Sequence, residues 1–343
     1  MNLRPLLKEL RAAQNLPALA GFVASRESIL AADVTGARRA DQPGNLLTLA
    51  DFFQIGSNAK AMLAAACAAL VDEGKLTWET SPAECFPDLA ATTLPAYRHI
   101  TLEALLTHRV GLPPYTDTDD PDFILPDFAD LPPQEHPARF AAFLLQHIPP
   151  APQDAPQYSN AGYSLAAAMA ERASGVGWQT LLRQQIFDPL DIQAYAGCEH
   201  PARILPDQPW GHLPNEQGGY APHPPNQPLI PPCLAPAGDV CLPALAYARF
   251  LQMQLRLLQD PRPAFAPLHR RGEPGIGAGW GVNRLRGLES LGVFSLHAGS
   301  TGNFFALAAL SHAHQLAFCL LTNAGAPELT TALKRLLAEW FQP

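Results

Sequence analysis

Apolar residues at the two ends of the chain follow the spacings of both helices and strands. Near the start, leucines at positions 3, 6, 7 and 10 recur at helical spacing among charged residues, which predicts an amphipathic helix. Two apolar runs, 19–24 and 29–34, flank a short polar turn and predict a β-hairpin. In the last quarter, apolar runs joined by short turns predict consecutive antiparallel strands over residues 279–285, 291–297, 304–310 and 316–322. A predicted helix over 328–341 closes the chain.

The middle of the chain is predicted to be helical. Its most apolar stretch, residues 61–71, contains no charged residue and therefore predicts a helix that is buried on every side. Capping residues, glycines and prolines delimit further predicted helices over 102–108, 137–148, 161–173, 178–187 and 243–258. Strands at both ends with helices between them predict an α+β fold. One antiparallel sheet is built from both termini, is flanked by the first and last helices, and has an all-helical lobe inserted.

Residues 189–236 are rich in proline and show little periodicity, which predicts a long irregular segment. Segments of this length within a compact domain are often functional. Two interpretations are open: the segment shapes substrate recognition, or it is a surface excursion without a function of its own.

Composition excludes several classes of protein. The net charge of −8 and the lack of any basic cluster argue against a nucleic-acid partner. No apolar segment reaches the roughly 18 residues that a membrane span needs. The six cysteines show no C-x-x-C spacing, so neither a metal nor a cofactor is predicted. The amphipathic start is not a signal peptide, so the expected location is cytoplasmic, or periplasmic or secreted if an export signal preceded Met1.

Lys60 departs most clearly from a purely structural pattern. It is one of only four lysines and heads the long apolar run, where an amine must be paired or lose its charge. Ser57 lies three residues earlier, so its hydroxyl and the amine share a face near the start of the helix. A serine beside an amine of lowered pKa is typical of an activated nucleophile. In the alternative interpretation Ser57 only caps the helix and Lys60 reaches to solvent.

Two further short patterns occur once each. Residues 158–160, Tyr-Ser-Asn, precede a predicted helix, and in an extended segment the first and third side chains point the same way. Residues 297–299, His-Ala-Gly, end a predicted strand, where Gly299 leaves room for the backbone of a ligand. Each pattern also has a structural interpretation: a tyrosine packed at a helix start, and a surface histidine at a strand end.

In this order the three motifs, Ser57-x-x-Lys60, Tyr158-x-Asn160 and His297-x-Gly299, resemble those of the serine β-lactamase and penicillin-binding-protein superfamily. The similar branch contains class C β-lactamases, DD-peptidases, D-aminopeptidases and related esterases. Similarity extends from about residue 15 to the C-terminus through the segments Phe53-Gln54-Ile55-Gly56, Glu73-Gly74-Lys75-Leu76, Leu105-Leu106-Thr107-His108, Pro236-Ala237-Gly238 and Leu321-Thr322-Asn323. The resemblance implies one catalytic domain over 1–343. Its site lies between an α/β lobe of about residues 1–56 plus 265–343 and a helical lobe of about 57–264.

The resemblance also implies acyl transfer through a serine ester. Ser57 is the expected nucleophile, and its backbone N–H and that of Ser300 form the expected oxyanion hole. Tyr158 is the preferred proton acceptor, because the Lys60 ammonium is expected to lower its pKa. The alternative gives this role to a neutral Lys60. The expected substrate-binding residues are Asn160, His297 and Gly299, and an extended substrate is expected to add to the strand near Ser300.

Position 297 departs from the class C pattern, which has a lysine there to help hold the carboxylate of the antibiotic. A histidine is largely neutral at pH 7. The expected function is therefore hydrolysis of an amide or ester in a small molecule or peptide, by a peptidase, amidase or esterase rather than an efficient β-lactamase. Alternatives are a class C-type β-lactamase or DD-peptidase, an acyltransferase, and a non-catalytic scaffold. If His297 binds a carboxylate, turnover of acidic substrates is expected to weaken as the pH rises through about 6 to 7.

Overall fold

The computed structural model describes residues 2–151, 156–197, 201–272, 275–325 and 328–342, and it has the predicted α+β architecture. Its strands are β1 (Ala18–Ser25), β2 (Ile29–Gly36), β3 (Phe52–Gln54), β4 (Tyr195–Ala196), β5 (Gly211–Pro214), β6 (Tyr220–His223), β7 (Val240–Pro243), β8 (Ile276–Gly277), β9 (Trp280–Arg284), β10 (Val293–Ser300), β11 (Phe305–Ser311) and β12 (Leu316–Thr322). Its α-helices are α1 (Arg4–Ala13), α2 (Ala59–Asp72), α3 (Pro82–Cys85), α4 (Leu102–Leu106), α5 (His136–His147), α6 (Asn160–Ser174), α7 (Trp178–Leu182), α8 (Ala244–Leu257), α9 (Ala266–His269) and α10 (Leu329–Trp340).

The largest sheet is built from both ends of the chain. Its seven strands follow the order β2-β1-β12-β11-β10-β9-β8, and each neighbouring pair is antiparallel. The C-terminal strand β12 pairs with the N-terminal strand β1, where Phe22 lies opposite Cys319. The predicted hairpin and the four predicted C-terminal strands are confirmed to within a few residues.

Side chains of this sheet alternate between two apolar layers, because successive residues of a strand point to opposite faces. On β1, Ala20 and Phe22 belong to one core cluster, whereas Leu19 and Val23 belong to the other. Helices α2 and α8 cover the first face, and α1 and α10 cover the second. The sheet is therefore a rigid central layer, and β10 carries the predicted His-Ala-Gly motif within it.

Helix α2 is buried along almost its whole length, as its uninterrupted apolar pattern predicts. Helix α8 also reaches the sheet, where the ring of Tyr247 meets that of Phe22 edge-on at 6.4 Å. Strand β3, from the N-terminal part of the chain, pairs with β7 from its middle. The division of the chain into lobes at residues 56/57 and 264/265 stays a prediction.

Three local predictions change. The helix predicted over 102–108 ends at Leu106, because His108 adopts a φ of +60° that no α-helical residue has. The helix predicted over 178–187 is α-helical only in α7, and its second half, Arg183–Phe187, is a π-helix. Within 189–236 the prediction of little regular structure is partly wrong, since β4, β5 and β6 lie there, and residues 198–200 are outside the described ranges. None of the helices in the described ranges combines the length and apolar composition that crossing a bilayer requires.

Candidate active site

Ser57 lies in a 3-10 turn, Gly56–Asn58, that connects β3 to α2. Asn58 anchors this turn: its Nδ2 donates to the carbonyl oxygen of Ala306 on β11 at 3.1 Å, and its Oδ1 accepts from the Tyr247 hydroxyl at 2.7 Å. Asn58 is not among the residues predicted from the sequence, although a polar residue at the head of an apolar run is a signal. Because Asn58 is fully buried and bonded to both elements, the turn is tied to the sheet and to α8.

Lys60 is fully buried on the first turn of α2, and its Nζ links three parts of the site. Nζ lies 3.2 Å from Ser57 Oγ, 2.6 Å from Asn160 Oδ1 and 2.7 Å from the carbonyl oxygen of Ala237. Burial lowers the pKa of Lys60 well below its usual value, and no carboxylate among the described residues opposes this shift. The prediction of an amine with a lowered pKa is confirmed, and the alternative in which Lys60 reaches solvent is wrong.

Tyr158 and Asn160 both face Lys60, as their spacing predicts. Ser159 between them has an extended backbone, with φ −143° and ψ 123°, and the centre of the Tyr158 ring lies 4.8 Å from Lys60 Nζ. The predicted lowering of the Tyr158 pKa is wrong. Although the residue keeps 38 % of its exposure, loss of solvent around the hydroxyl raises its pKa to about 12, and a hydrogen bond with the Ser57 side chain opposes the rise.

The end of β10 lies directly against the serine turn. A Cβ added to Gly299 would lie 2.1 Å from the carbonyl oxygen of Ile55 and 2.7 Å from the backbone nitrogen of Ser57. One added to Gly56, whose φ is +54°, would lie 2.7 Å from the backbone nitrogen of Ser300. The chain's own backbone thus requires glycine at 299, and the interpretation that this glycine leaves room for a ligand backbone is wrong. The contact brings the main chain at Ser57 and at Ser300 together.

His297 is held as a neutral side chain. Its Nδ1 lies 2.6 Å from the carbonyl oxygen of Gly279, which can only accept, so Nδ1 carries the hydrogen and Nε2 is an acceptor. Burial lowers the pKa of His297 to about 4; the bond to Gly279 opposes this shift and the nearby Lys60 adds to it. His297 therefore carries no charge at pH 6 to 7 in the free protein, and the expected weakening of turnover of acidic substrates in that range stays a prediction.

The backbone edge of β10 beyond Leu296 is unpaired on one side. Strand β11 pairs with β10 as far as Ser300, whereas the pairing with β9 stops at Leu296 opposite Gly281. Along residues 297–300, no strand in the described part of the chain occupies the β9 side. An unpaired edge of this kind has backbone groups that can bind an extended chain.

A serine turn and a strand end that meet beside a buried lysine, on an antiparallel sheet made from both termini, define a class. It is that of the proteins with the β-lactamase and penicillin-binding-protein fold. The sequence model of the beta-lactamase family matches residues 3–339, and the chain belongs to that family.

Individual relatives agree with this assignment. Penicillin-binding protein 4 of Amycolatopsis lactamdurans is 27 % identical over 324 residues, which cover 86 % of this chain and 79 % of that protein. The octameric penicillin-binding protein homologue of Pyrococcus abyssi superposes with a TM-score of 0.78 at 20 % identity, over 98 % of this chain and 76 % of that one. The D-amino acid amidase of Ochrobactrum anthropi SV3, solved with L-phenylalanine, gives a TM-score of 0.77 at 19 % identity, over 98 % of each chain. The predicted fold is confirmed.

Proposed function

We propose that this protein hydrolyses an amide or ester bond through an acyl-enzyme formed on Ser57. The observation that carries the proposal is the 3.2 Å separation between Lys60 Nζ and Ser57 Oγ, in a site whose burial lowers the lysine's pKa. A neutral amine has two N–H groups and one lone pair. The short bonds to Asn160 Oδ1 and to the Ala237 carbonyl use the two N–H groups, so the lone pair is left for the Ser57 hydroxyl.

In acylation, Lys60 takes the proton of Ser57 as Oγ forms a bond to the substrate carbonyl carbon. The tetrahedral adduct then collapses with cleavage of the bond to the leaving amine or alcohol, which takes the phenol proton of Tyr158. In deacylation, the Tyr158 phenolate removes a proton from the attacking water. As the ester breaks, the Lys60 ammonium returns its proton to Ser57 Oγ, so all three side chains regain their starting states.

The backbone N–H groups of Ser57 and Ser300 form the oxyanion hole in this proposal. The close packing of Gly299 and Gly56 supports it, since both contacts involve the backbone nitrogens concerned. Such donors typically contribute 10² to 10³ in rate each. The unpaired edge at residues 297–300 then binds the substrate as an added strand, with Asn160 hydrogen-bonded to its amide.

We assign the substrate to amides and esters that carry no carboxylate, in preference to lactam antibiotics and peptides that end in a free carboxylate. A neutral His297 supplies no cation to hold a carboxylate beside the scissile bond. The similarity to a D-amino acid amidase supports an amide of an amino acid as one such substrate. Acyl transfer to an alcohol or amine uses the same residues and is distinguished by its product.

The test combines labelling with a substrate panel. A fluorophosphonate is expected to label Ser57, identified by mass spectrometry of its peptide. The Ser57→Ala variant is expected to lose both labelling and turnover, whereas Ser28→Ala, in the exposed hairpin turn, keeps both. The panel contains p-nitrophenyl esters, D-amino-acid amides and nitrocefin, and the first two classes are expected to be turned over faster. Full turnover by Ser57→Ala would contradict the acyl-enzyme, and preference for nitrocefin would contradict the substrate class.

A further inference from the structure

His108 lies against the Tyr158–Asn160 segment and has no part in the chemistry proposed above. It follows α4, is only 7 % exposed and has a φ of +60°. This left-handed conformation is costly for a residue with a side chain and is kept where surrounding contacts determine it. The sequence shows His108 only within a short segment similar to the family.

His108 accepts hydrogen bonds from two backbone N–H groups of this segment that lie two residues apart. Its carbonyl oxygen accepts from the N–H of Gln157 at 2.9 Å, and its Nδ1 accepts from the N–H of Ser159 at 3.1 Å. The intervening residue, Tyr158, lies with its ring centre 4.5 Å from that of His108 and with the planes inclined by 34°. The backbone and the side chain of His108 therefore bind the residues that precede and follow Tyr158.

The loop that begins at His108 also holds the next residue of the segment, Asn160. The N–H of Asn160 donates to the carbonyl oxygen of Pro114 at 2.8 Å, and its side-chain Nδ2 donates to that of Tyr115 at 2.7 Å. With Nδ2 held in this way, the amide oxygen of Asn160 faces Lys60. Burial lowers the pKa of His108 to about 3, so its Nδ1 is an acceptor throughout the neutral range.

We propose that His108 is a positioning residue for the reaction: through Nδ1 and its carbonyl oxygen it sets the register of residues 157–159, so that Tyr158 and Asn160 meet Lys60 together. This inference rests on the proposed function. It differs from a purely structural role because the acceptor atom at the position of Nδ1, and not the bulk of the ring, determines the rate.

Two substitutions that tolerate a positive φ separate the acceptor from the backbone conformation. His108→Asn keeps an acceptor oxygen near the position of Nδ1, whereas His108→Gly removes both the acceptor and the ring. With a p-nitrophenyl ester, we expect His108→Gly to lower kcat about 100-fold with little change in KM, and His108→Asn to stay within about fivefold of wild type, since small displacements of catalytic groups have effects of this size. Thermal melts establish that both variants are folded.

Equal loss in both variants, or full kcat in His108→Gly, would overturn the positioning role. If His108→Gly does not fold, His108→Asn decides alone: it tolerates the positive φ and keeps the acceptor, so a 100-fold loss of kcat in this variant would refute the inference. The proposed function is tested separately in the wild-type protein, where turnover and fluorophosphonate labelling must depend on Ser57. Loss of that dependence contradicts the acyl-enzyme, whereas the order of the His108 variants tests positioning alone.

Discussion

Replacing Lys60 by methionine removes a buried amine from the centre of the site and leaves a side chain of similar length. Turnover is expected to fall by a factor of about 10² to 10⁴, the usual contribution of a general base. Stability gives a more specific test, because it reports the protonation state of Lys60 in the folded protein. The proposed reaction requires that state to be neutral.

The sign follows from proton binding. In the unfolded chain Lys60 has its usual pKa of 10.5, whereas in the folded protein burial lowers the pKa well below this value. Between the two pKa values the unfolded state binds one more proton, so the free energy of unfolding rises with pH by about 1.4 kcal/mol per unit. From pH 8 to 10, wild type should gain up to about 2.5 kcal/mol over Lys60→Met, the slope decreasing as 10.5 is approached.

The measurement is urea denaturation of both proteins at pH 8, 9 and 10. Groups that titrate in both proteins cancel in the difference, so its slope belongs to Lys60. Lys75→Met is the control for the loss of a lysine as such, because Lys75 is half exposed and paired with Glu73. A flat difference between wild type and Lys60→Met would show that Lys60 is an ammonium in the folded protein, which would refute its role as the first proton acceptor.

Three further predictions concern the groups around Lys60. Tyr158→Phe should lower kcat for a p-nitrophenyl ester by a factor of about 10² to 10⁴ without changing the melting temperature, because it removes a proton donor and little packing. The control Tyr195→Phe, measured with the same ester, should keep the kcat of wild type. His297→Gln should leave the pH dependence of kcat/KM between pH 6 and 8 unchanged, because the pKa of His297 is about 4, and a titration lost in the variant would contradict this neutral state. Gly299→Ala should destabilise the protein by about 1 to 3 kcal/mol in urea denaturation, since its Cβ meets backbone. Gly44→Ala should leave the stability unchanged, because a Cβ at this position meets nothing within 4 Å. Equal stability of the two variants would contradict the close packing at the serine turn.

Where packing alone determines an element, the sequence predicts it well. Strand β12 was predicted at its observed bounds, and α2 as a helix buried all round, because both depend on apolar periodicity. Strands β5 and β6 escaped prediction for a physical reason. They are four residues long, contain prolines and are stabilised by pairing, for example of His212 with Pro222, so no apolar alternation marks them.

For the site, the sequence predicts which groups meet and the lowered pKa of Lys60, but not the ionisation of Tyr158. Ser57 in the 3-10 turn lies three residues before Lys60 on the first turn of α2, and this spacing brings the two together. Alternation along an extended segment turns Tyr158 and Asn160 to the same amine. The pKa of Tyr158 depends on the solvent that the whole fold excludes, and no local pattern contains that information. His108 escaped notice for a related reason, since its role depends on hydrogen bonds to residues about 50 positions away.

The charge state of the site bears directly on its substrate. Before reaction, Lys60, Tyr158 and His297 are all uncharged in this assignment, so charge appears only as the Ser57 proton moves and the oxyanion forms. In a buried site such separation is favourable only where fixed dipoles receive it, which is the role we propose for the backbone amides at Ser57 and Ser300. A substrate carboxylate held beside His297 would add an unpaired negative charge next to the developing oxyanion and raise the barrier to attack. A neutral amide or ester adds none, so under the proposed function it is expected to react faster than an acidic peptide or a lactam antibiotic.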